Sequence, residues 1–409
     1  MAEFSIDPFV DRYAARTAGM SESEVRALFA VASRPEVVSL AGGMPFVQAL
    51  PADEVQRVVA EVLRERGAEA LQYCGGQGLL ELRERLVGLM AVEGVESDPE
   101  DLVVTTGAQQ ALDLVAKIFV DPGDEIVVEA PAYVGALSAF SAYEPRYLQV
   151  DLDDDGMIVD QLEDLLVHGA RPKFVYTVPS FHNPAGVTMS GPRRERLVAL
   201  CREAGVPIVE DNPYGMLRFE GDPLPTLRSL DPHNVIYLGT VSKVFSAGMR
   251  IGWALAESHV PQRLVLAKEA ADLCHSSFTQ LVCARWLSDE DRWRSSVQTL
   301  IDIYRSRRDV LIGALEEFFP EDATWTRPAG GFFSWVTLPE YFDTQQLLAA
   351  AVERRVAYVP GTGFYPDGRG RRQMRLAFCY PPEEQIVEGV KRLAALLTDE
   401  EDLYRSLHP

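Results

Sequence analysis

The chain has 409 residues, enough for two to three domain-sized units or for one large α/β domain with a smaller one attached. Its 61 acidic against 39 basic residues leave a net charge of −22, which argues against nucleic acid or an anionic membrane as partner, since both call for concentrated positive surface. Five scattered cysteines without metal-ligand spacing, no apolar run near the ~20 residues of a membrane span and no signal-like start set the expectation of a metal-free cytoplasmic protein with free thiols.

Residues 1 to 40 read as an arm followed by a helix, with a capping signature at Ser21 to Glu24 and an apolar stripe from Val25 to Ala32. Arg26 is the notable charge there, either a solvated helix residue or one that meets a ligand. Ser39 to Pro45 is a loop in which Gly42 and Gly43 permit close backbone approach to a ligand or another chain. A helix over Asp53 to Ala68 breaks at the glycine-rich stretch Leu71 to Gly78 before the next helix, and Tyr73 stands at the rim of that break. Its hydroxyl could reach a phosphate or simply face solvent.

From Leu102 the pattern becomes strand, loop and helix in repetition. The strand Leu102 to Thr106 runs through Gly107 into a helix from Ala108, and a helix start behind a glycine offers free N–H groups and a positive dipole end to an anion. Gly107, Ala108 and Gln109 are therefore phosphate-cradle candidates. The strand Glu125 to Glu129 leads to Tyr133, which can stack on a planar ligand or pack. Another apolar strand, Phe174 to Val178, ends in Asn183 between two prolines, a turn that fixes the amide for a hydrogen bond. Asp211 and Tyr214 follow the strand material Pro207 to Glu210; a buried aspartate there could hold a protonated ring nitrogen or cap a helix.

The stretch Asn234 to Trp253 is the densest in chemistry. An apolar strand, Val235 to Leu238, delivers Ser242 and Lys243 past its carboxyl end, and Arg250 follows before a second strand, Ile251 to Ala256. Ligand crevices in open α/β sheets lie outside the carboxyl ends of strands. A lysine amine with a hydroxyl and an arginine beside it suits an aldehyde cofactor bearing a phosphate, the amine forming a Schiff base and the other groups neutralising the anion. Beyond Trp253 helices are expected over Leu264 to Ala271, Phe278 to Trp286 and Arg292 to Phe318. A smaller domain follows, with strand material at Ala329 to Val336, a helix at Thr344 to Glu353 and a strand at Gln373 to Phe378. In that last strand Met374, Leu376 and Phe378 share one face and Arg375 takes the other, where its fork could clamp a carboxylate of a substrate or of a structural acid.

Together, in order, the segments SLAGGMP, ALQY, TTGAQQALDL, EAPAYVGA, PSFHNPAG, VEDNPY, YLGTVSKVFSAGMRIG and MRLAF resemble the fold-type I pyridoxal-phosphate aminotransferases, most nearly the bacterial 2-aminoadipate and kynurenine aminotransferases. The resemblance covers nearly the whole chain. It implies an α/β fold: a large domain over 46–310 with a mixed, mostly parallel seven-stranded sheet between helices, an arm and helix over 1–45, and a small α+β domain over 311–409. It implies pyridoxal 5′-phosphate held by Lys243, with Asp211 on the ring nitrogen, Asn183 and Tyr214 on the ring oxygen and Tyr133 stacked on the ring. Gly107, Ala108, Gln109, Ser242 and Arg250 would hold the phosphate, and Tyr73 would reach it from the other subunit of a homodimer. Arg375 would take the substrate α-carboxylate, near Gly43 and Asn183, and Arg26 would meet the substrate side chain. The implied reaction moves an amino group from 2-aminoadipate, glutamate, an aromatic or a branched amino acid to a 2-oxo acid such as 2-oxoglutarate. The alternative on the same scaffold is decarboxylation, elimination or oxidation in specialised amino-acid biosynthesis. Ala108 stands where a hydroxyl is common, and the segments Cys74 to Gln77 and Cys274 to Ser277 are unusual for the group.

Overall fold

A computed structural model describes residues 7–19, 34, 36–257 and 259–408. The expected N-terminal helix with Arg26 lies outside these residues. Strands are labelled in chain order, from the two-residue β1 (Val38–Ser39). The central sheet is built from β2 (Leu102–Thr106), β3 (Glu125–Ala130), β4 (Arg146–Asp153), β5 (Gly156–Met157), β6 (Val175–Thr177), β7 (Ile208–Asp211), β8 (Val235–Thr240) and β9 (Ile251–Leu255). Their spatial order is β2-β9-β8-β7-β6-β3-β4-β5. Pairings among β8, β7, β6, β3 and β4 are parallel, while β9 runs antiparallel to both its neighbours and β5 is a hairpin return on β4. The expected seven strands are present, and the Gly156–Met157 hairpin adds a short eighth at the edge.

Near-continuous apolar runs make these strands, because a parallel sheet flanked by helices is buried on both faces. One face packs Val103, Val128, Tyr176, Val209 and Leu238 against the helix Ala108–Phe119, and the other packs Val127, Val175, Ile208 and Val235 against the helix Gly191–Ala204. The reversed direction of β9 matters for function. Thr106 pairs with Ile251 and Thr240 with Gly252, so the start of β9 lies on the same sheet edge as the carboxyl ends of β2 and β8.

The second sheet, in the order β10-β11-β14-β13, consists of β10 (Thr324–Trp325), β11 (Phe333–Thr337), β14 (Gln373–Ala377) and β13 (Val359–Pro360), all antiparallel. β1 pairs in parallel with β12 (Val356–Ala357). The chain after β1 is thereby tied to this sheet: Ala377 N–H donates to the Leu40 carbonyl at 2.7 Å. The 29-residue helix Glu290–Phe318 joins the two regions, capped by the Asp289 side chain, which accepts from the Arg292 N–H. Strand β11 starts later than the expected Ala329. A Cβ on Gly330 would lie 2.5 Å from the Leu217 carbonyl oxygen and from the Phe181 ring, and Gly331 has φ +72°, so these glycines form a tight crossing rather than a strand.

Candidate active site

A cavity of about 360 Å³ opens at the sheet edge where β6, β7 and β8 end. Eleven of the residues expected from sequence line it: Gly43, Ala108, Gln109, Tyr133, Asn183, Asp211, Tyr214, Ser242, Lys243, Arg250 and Arg375. Two larger cavities, of about 950 and 730 Å³, contain no lysine.

Lys243 follows β8 by three residues, and its Nζ donates to the Gly43 carbonyl at 3.1 Å. The amine also sits 5.2 Å from the Phe332 ring centroid. Burial first, and then the guanidinium charges of Arg375 and Arg250, bring it down from the usual lysine value to about 8. Near neutral pH such an amine keeps an appreciable deprotonated fraction, as a nucleophile or base needs.

Asp211 is the last residue of β7 and is 2% exposed. Its Oδ2 accepts from the Tyr176 hydroxyl at 2.9 Å, while Oδ1 is buried without a partner among the described residues. Burial lifts the carboxyl to about 7, partly offset by the Tyr176 hydrogen bond. A buried oxygen left bare is costly, so a cationic donor brought against it would be held strongly.

The helix start beside Arg250 leaves its backbone N–H groups open to an anion. Gly107 caps the helix Ala108–Phe119 at φ +75°, with no side chain capping the helix start. A Cβ on Gly107 would lie 2.3 Å from Arg250 Nη2, and one on Gly252 would lie 2.4 Å from the Ala108 N. Both glycines therefore let Arg250 and the helix start close on the same point. The Gln109 side chain is engaged elsewhere: its Nε2 donates to the Gly135 carbonyl at 2.6 Å, so only its backbone N–H is left to face the helix start. Arg250 holds a left-handed φ of 55° with Nη2 on the Thr106 carbonyl at 3.2 Å. Ser242 is buried beside the Thr240 hydroxyl, 2.9 Å away.

Arg375 reaches the cavity from β14. The expected alternation holds, since Met374, Leu376 and Phe378 join the main core while Arg375 points into the site. Its Nη1 donates to Asn183 Oδ1 at 2.8 Å and its Nη2 to the Ala41 carbonyl at 2.7 Å; the Phe333 ring centroid lies 4.2 Å from its Cζ. No acid pairs with it among the described residues, Nε is unpartnered, and burial lowers it to about 10. A buried guanidinium without a counter-ion can pair with a carboxylate brought to it.

Tyr133 and Tyr214 face the same space; burial lifts the Tyr133 hydroxyl to about 12 and that of Tyr214 well above its ordinary value. Tyr73 does not reach this cavity and stands 77% exposed. Sequence reasoning missed several supports. Tyr176 orients Asp211, Phe333 walls the cavity, and Glu129 accepts from Thr177 Oγ1 and Val178 N–H while lying 3.0 Å from His182 Nε2. The turn carrying Asn183 is closed by backbone, the His182 N–H donating to the Val187 carbonyl at 2.8 Å and the Gly186 N–H to the His182 carbonyl at 2.6 Å. The available signal was a polar residue inside an otherwise apolar strand, as at Glu129 and Tyr176.

Residues 36–393 match the family model of aminotransferase class I and II. The chain is 43% identical to aromatic-amino-acid aminotransferase 1 of Thermococcus litoralis, over 95% of this chain and 94% of that protein. It is 38% identical to the 2-aminoadipate transaminase of Thermus thermophilus, over 92% and 94%. Its fold matches, with a TM-score of 0.91 and 40% identity, the Pyrococcus horikoshii kynurenine aminotransferase solved with PMP, covering 95% of this chain and 98% of that one.

Proposed function

Given that this chain belongs to the class I and II aminotransferases, we propose that the 360 Å³ cavity works on an aromatic L-amino acid as preferred donor, with 2-oxoglutarate as acceptor. The protein is a pyridoxal-phosphate-dependent enzyme that moves an amino group from an amino acid to a 2-oxo acid. The residues present fit that cofactor. Asp211 Oδ1 is bare and buried, the glycine-lined helix start beside Arg250 suits a phosphate, and the Lys243 amine lines the same cavity.

When bound, the cofactor supplies an aldehyde for amine exchange and a sink for the electrons released at the substrate's Cα. In this reading Ala108 and Gln109 N–H, Ser242 and Arg250 hold the phosphate, Asp211 holds the ring-nitrogen proton, and Asn183 Nδ2 with Tyr214 faces the ring oxygen. Tyr133 covers the ring. Arg375 holds the substrate carboxylate, which turns the Cα–H bond toward Lys243. Lys243 Nζ takes that proton and returns it, the role its lowered pKa supports. The arrangement that carries the reading is Arg375, without an acidic partner, facing the same cavity as the Lys243 amine and the bare Asp211 oxygen.

Aromatic donors are favoured because Phe333, Tyr133, Tyr214 and Val178 line the cavity and its two described arginines already have roles. A side-chain carboxylate, as in 2-aminoadipate, would need Arg26. We further read the protein as a cytoplasmic homodimer in which exposed Tyr73 completes the neighbouring site, with an arm over 1–45, a large domain over 46–310 and a small domain over 311–409. Among the described residues no helix is long and apolar enough to cross a membrane. The test is kcat/KM for L-phenylalanine, L-leucine and L-2-aminoadipate with 2-oxoglutarate. Phenylalanine should lead; a 2-aminoadipate preference abolished by Arg26→Ala would reverse the assignment.

A further inference from the structure

A second cavity, of about 730 Å³, lies behind the loops that present the active-site residues. Ser180 on its wall belongs to the turn that carries Asn183, and Gly215 follows Tyr214 directly. A narrow gap lined by Glu93, Asn212, Pro213 and Thr240 continues toward the active site, which shares Pro213 and Thr240.

The cavity combines two charges with an apolar wall. Arg218 is half-buried, its guanidinium 4.9 Å from the Phe181 ring centroid, and it has no hydrogen bond or ion pair from its side chain among the described residues. It feels the charges of Glu93 and Asp222 but pairs with neither, and burial draws its pKa down. Its backbone is pinned by a β-bridge to Gly330, so the position is fixed. Glu93 has only the Asn212 amide as partner, Nδ2 donating to Oε1 at 3.1 Å, and burial raises its carboxyl to about 7. Trp293, Val297 and Ile301 of the helix Glu290–Phe318 supply the apolar side. A half-buried cation without a counter-ion is costly to keep, and it stands here across from a carboxyl with unfilled hydrogen-bonding capacity.

We propose that this cavity is a second ligand site, taking an α-amino acid with an apolar side chain: its carboxylate on Arg218, its ammonium toward Glu93 and its side chain against Trp293, Val297 and Ile301. The site is separate from the catalytic one and independent of which donor is transaminated. Its inner wall is the reverse side of the segments bearing Asn183 and Tyr214, so occupation bears on the loops that shape catalysis.

The probe is α-methyl-L-phenylalanine, which lacks the Cα proton and cannot be turned over. Calorimetry on the holoenzyme should count two molecules per chain, one accompanied by a change in cofactor absorbance and one silent. Arg218→Gln should weaken the silent event about tenfold or more and leave the absorbance-linked one. Ser295→Trp, at the exposed rim, should block the silent event in a protein whose circular dichroism matches the wild type. A single event per chain that carries the absorbance change, or a silent event that both variants retain, would overturn the proposal. Absence of the absorbance change alone, with a silent event still lost in both variants, would count against the active-site reading and support the second site.

Discussion

Lys243, Asp211 and the Gly107 helix start sit at the ends of strands in one sheet, whereas Arg375 comes from another sheet and meets them through hydrogen bonds to Asn183 and Ala41. The first group is placed by backbone register, which fixes each Cα before any side chain is chosen. The second depends on pairings between parts of the chain 192 and 334 residues apart. The cofactor side and the carboxylate side of the site should therefore fail separately, and substitutions can pull them apart.

The largest effect is expected from Lys243→Ala. Removal of the amine should lower single-turnover amino transfer by at least about 10⁴-fold and abolish the visible absorbance of lysine-bound cofactor, with the fold unchanged by circular dichroism.

Asp211→Asn should follow, with kcat down about 10³-fold, since the amide cannot balance a cationic ring nitrogen. The same variant makes a test on the cofactor-free protein. The folded carboxyl is raised to about 7, while the unfolded one has its ordinary value near ~4. Between those values the folded state binds the extra proton, so stability contributed by this group falls as pH rises and is fully lost above about 7. Melting temperatures from pH 5 to 8 should show Asp211→Asn gaining on the wild type as pH rises; a constant difference would contradict the raised value.

Arg375→Leu tests the other half. KM for amino acids should rise about 10²-fold while cofactor affinity by absorbance titration stays as in the wild type. A parallel loss of cofactor would show that the two halves are one unit. The smallest effect belongs to Gly107→Ala, where strain at φ +75° and the crowding of Arg250 should weaken cofactor affinity about tenfold with kcat at saturation little changed.

The same contrast governs how much could be read from the sequence. Strand-end positions are local: an apolar run followed by Gly107, Asp211 or Lys243 already says that the residue leaves the sheet at its carboxyl edge. Arg375 was legible as to its face, through alternation with Met374 and Leu376, but its lack of an acidic partner was not, since that depends on every residue folded around it. The reversal of β9, which brings Arg250 to the right edge, follows from pairings of β9 with β2 and β8 that no local pattern encodes. Glu93 and Arg218 are 125 residues apart in sequence, and only the packing of the helix Glu290–Phe318 encloses a cavity beside them. The strand expected from Ala329 failed for a similar reason, because Phe181 occupies the space a side chain at Gly330 would need.

The most direct measurement is a single turnover of holoenzyme with L-phenylalanine in the absence of any oxo acid, followed by 2-oxoglutarate, in wild type and Lys243→Ala. The expected result is loss of the cofactor's visible absorbance with one phenylpyruvate formed per site, recovery on adding 2-oxoglutarate, and neither change in the variant. Bleaching accompanied by carbon dioxide or free ammonia, without recovery on adding the oxo acid, would contradict amino transfer at this site.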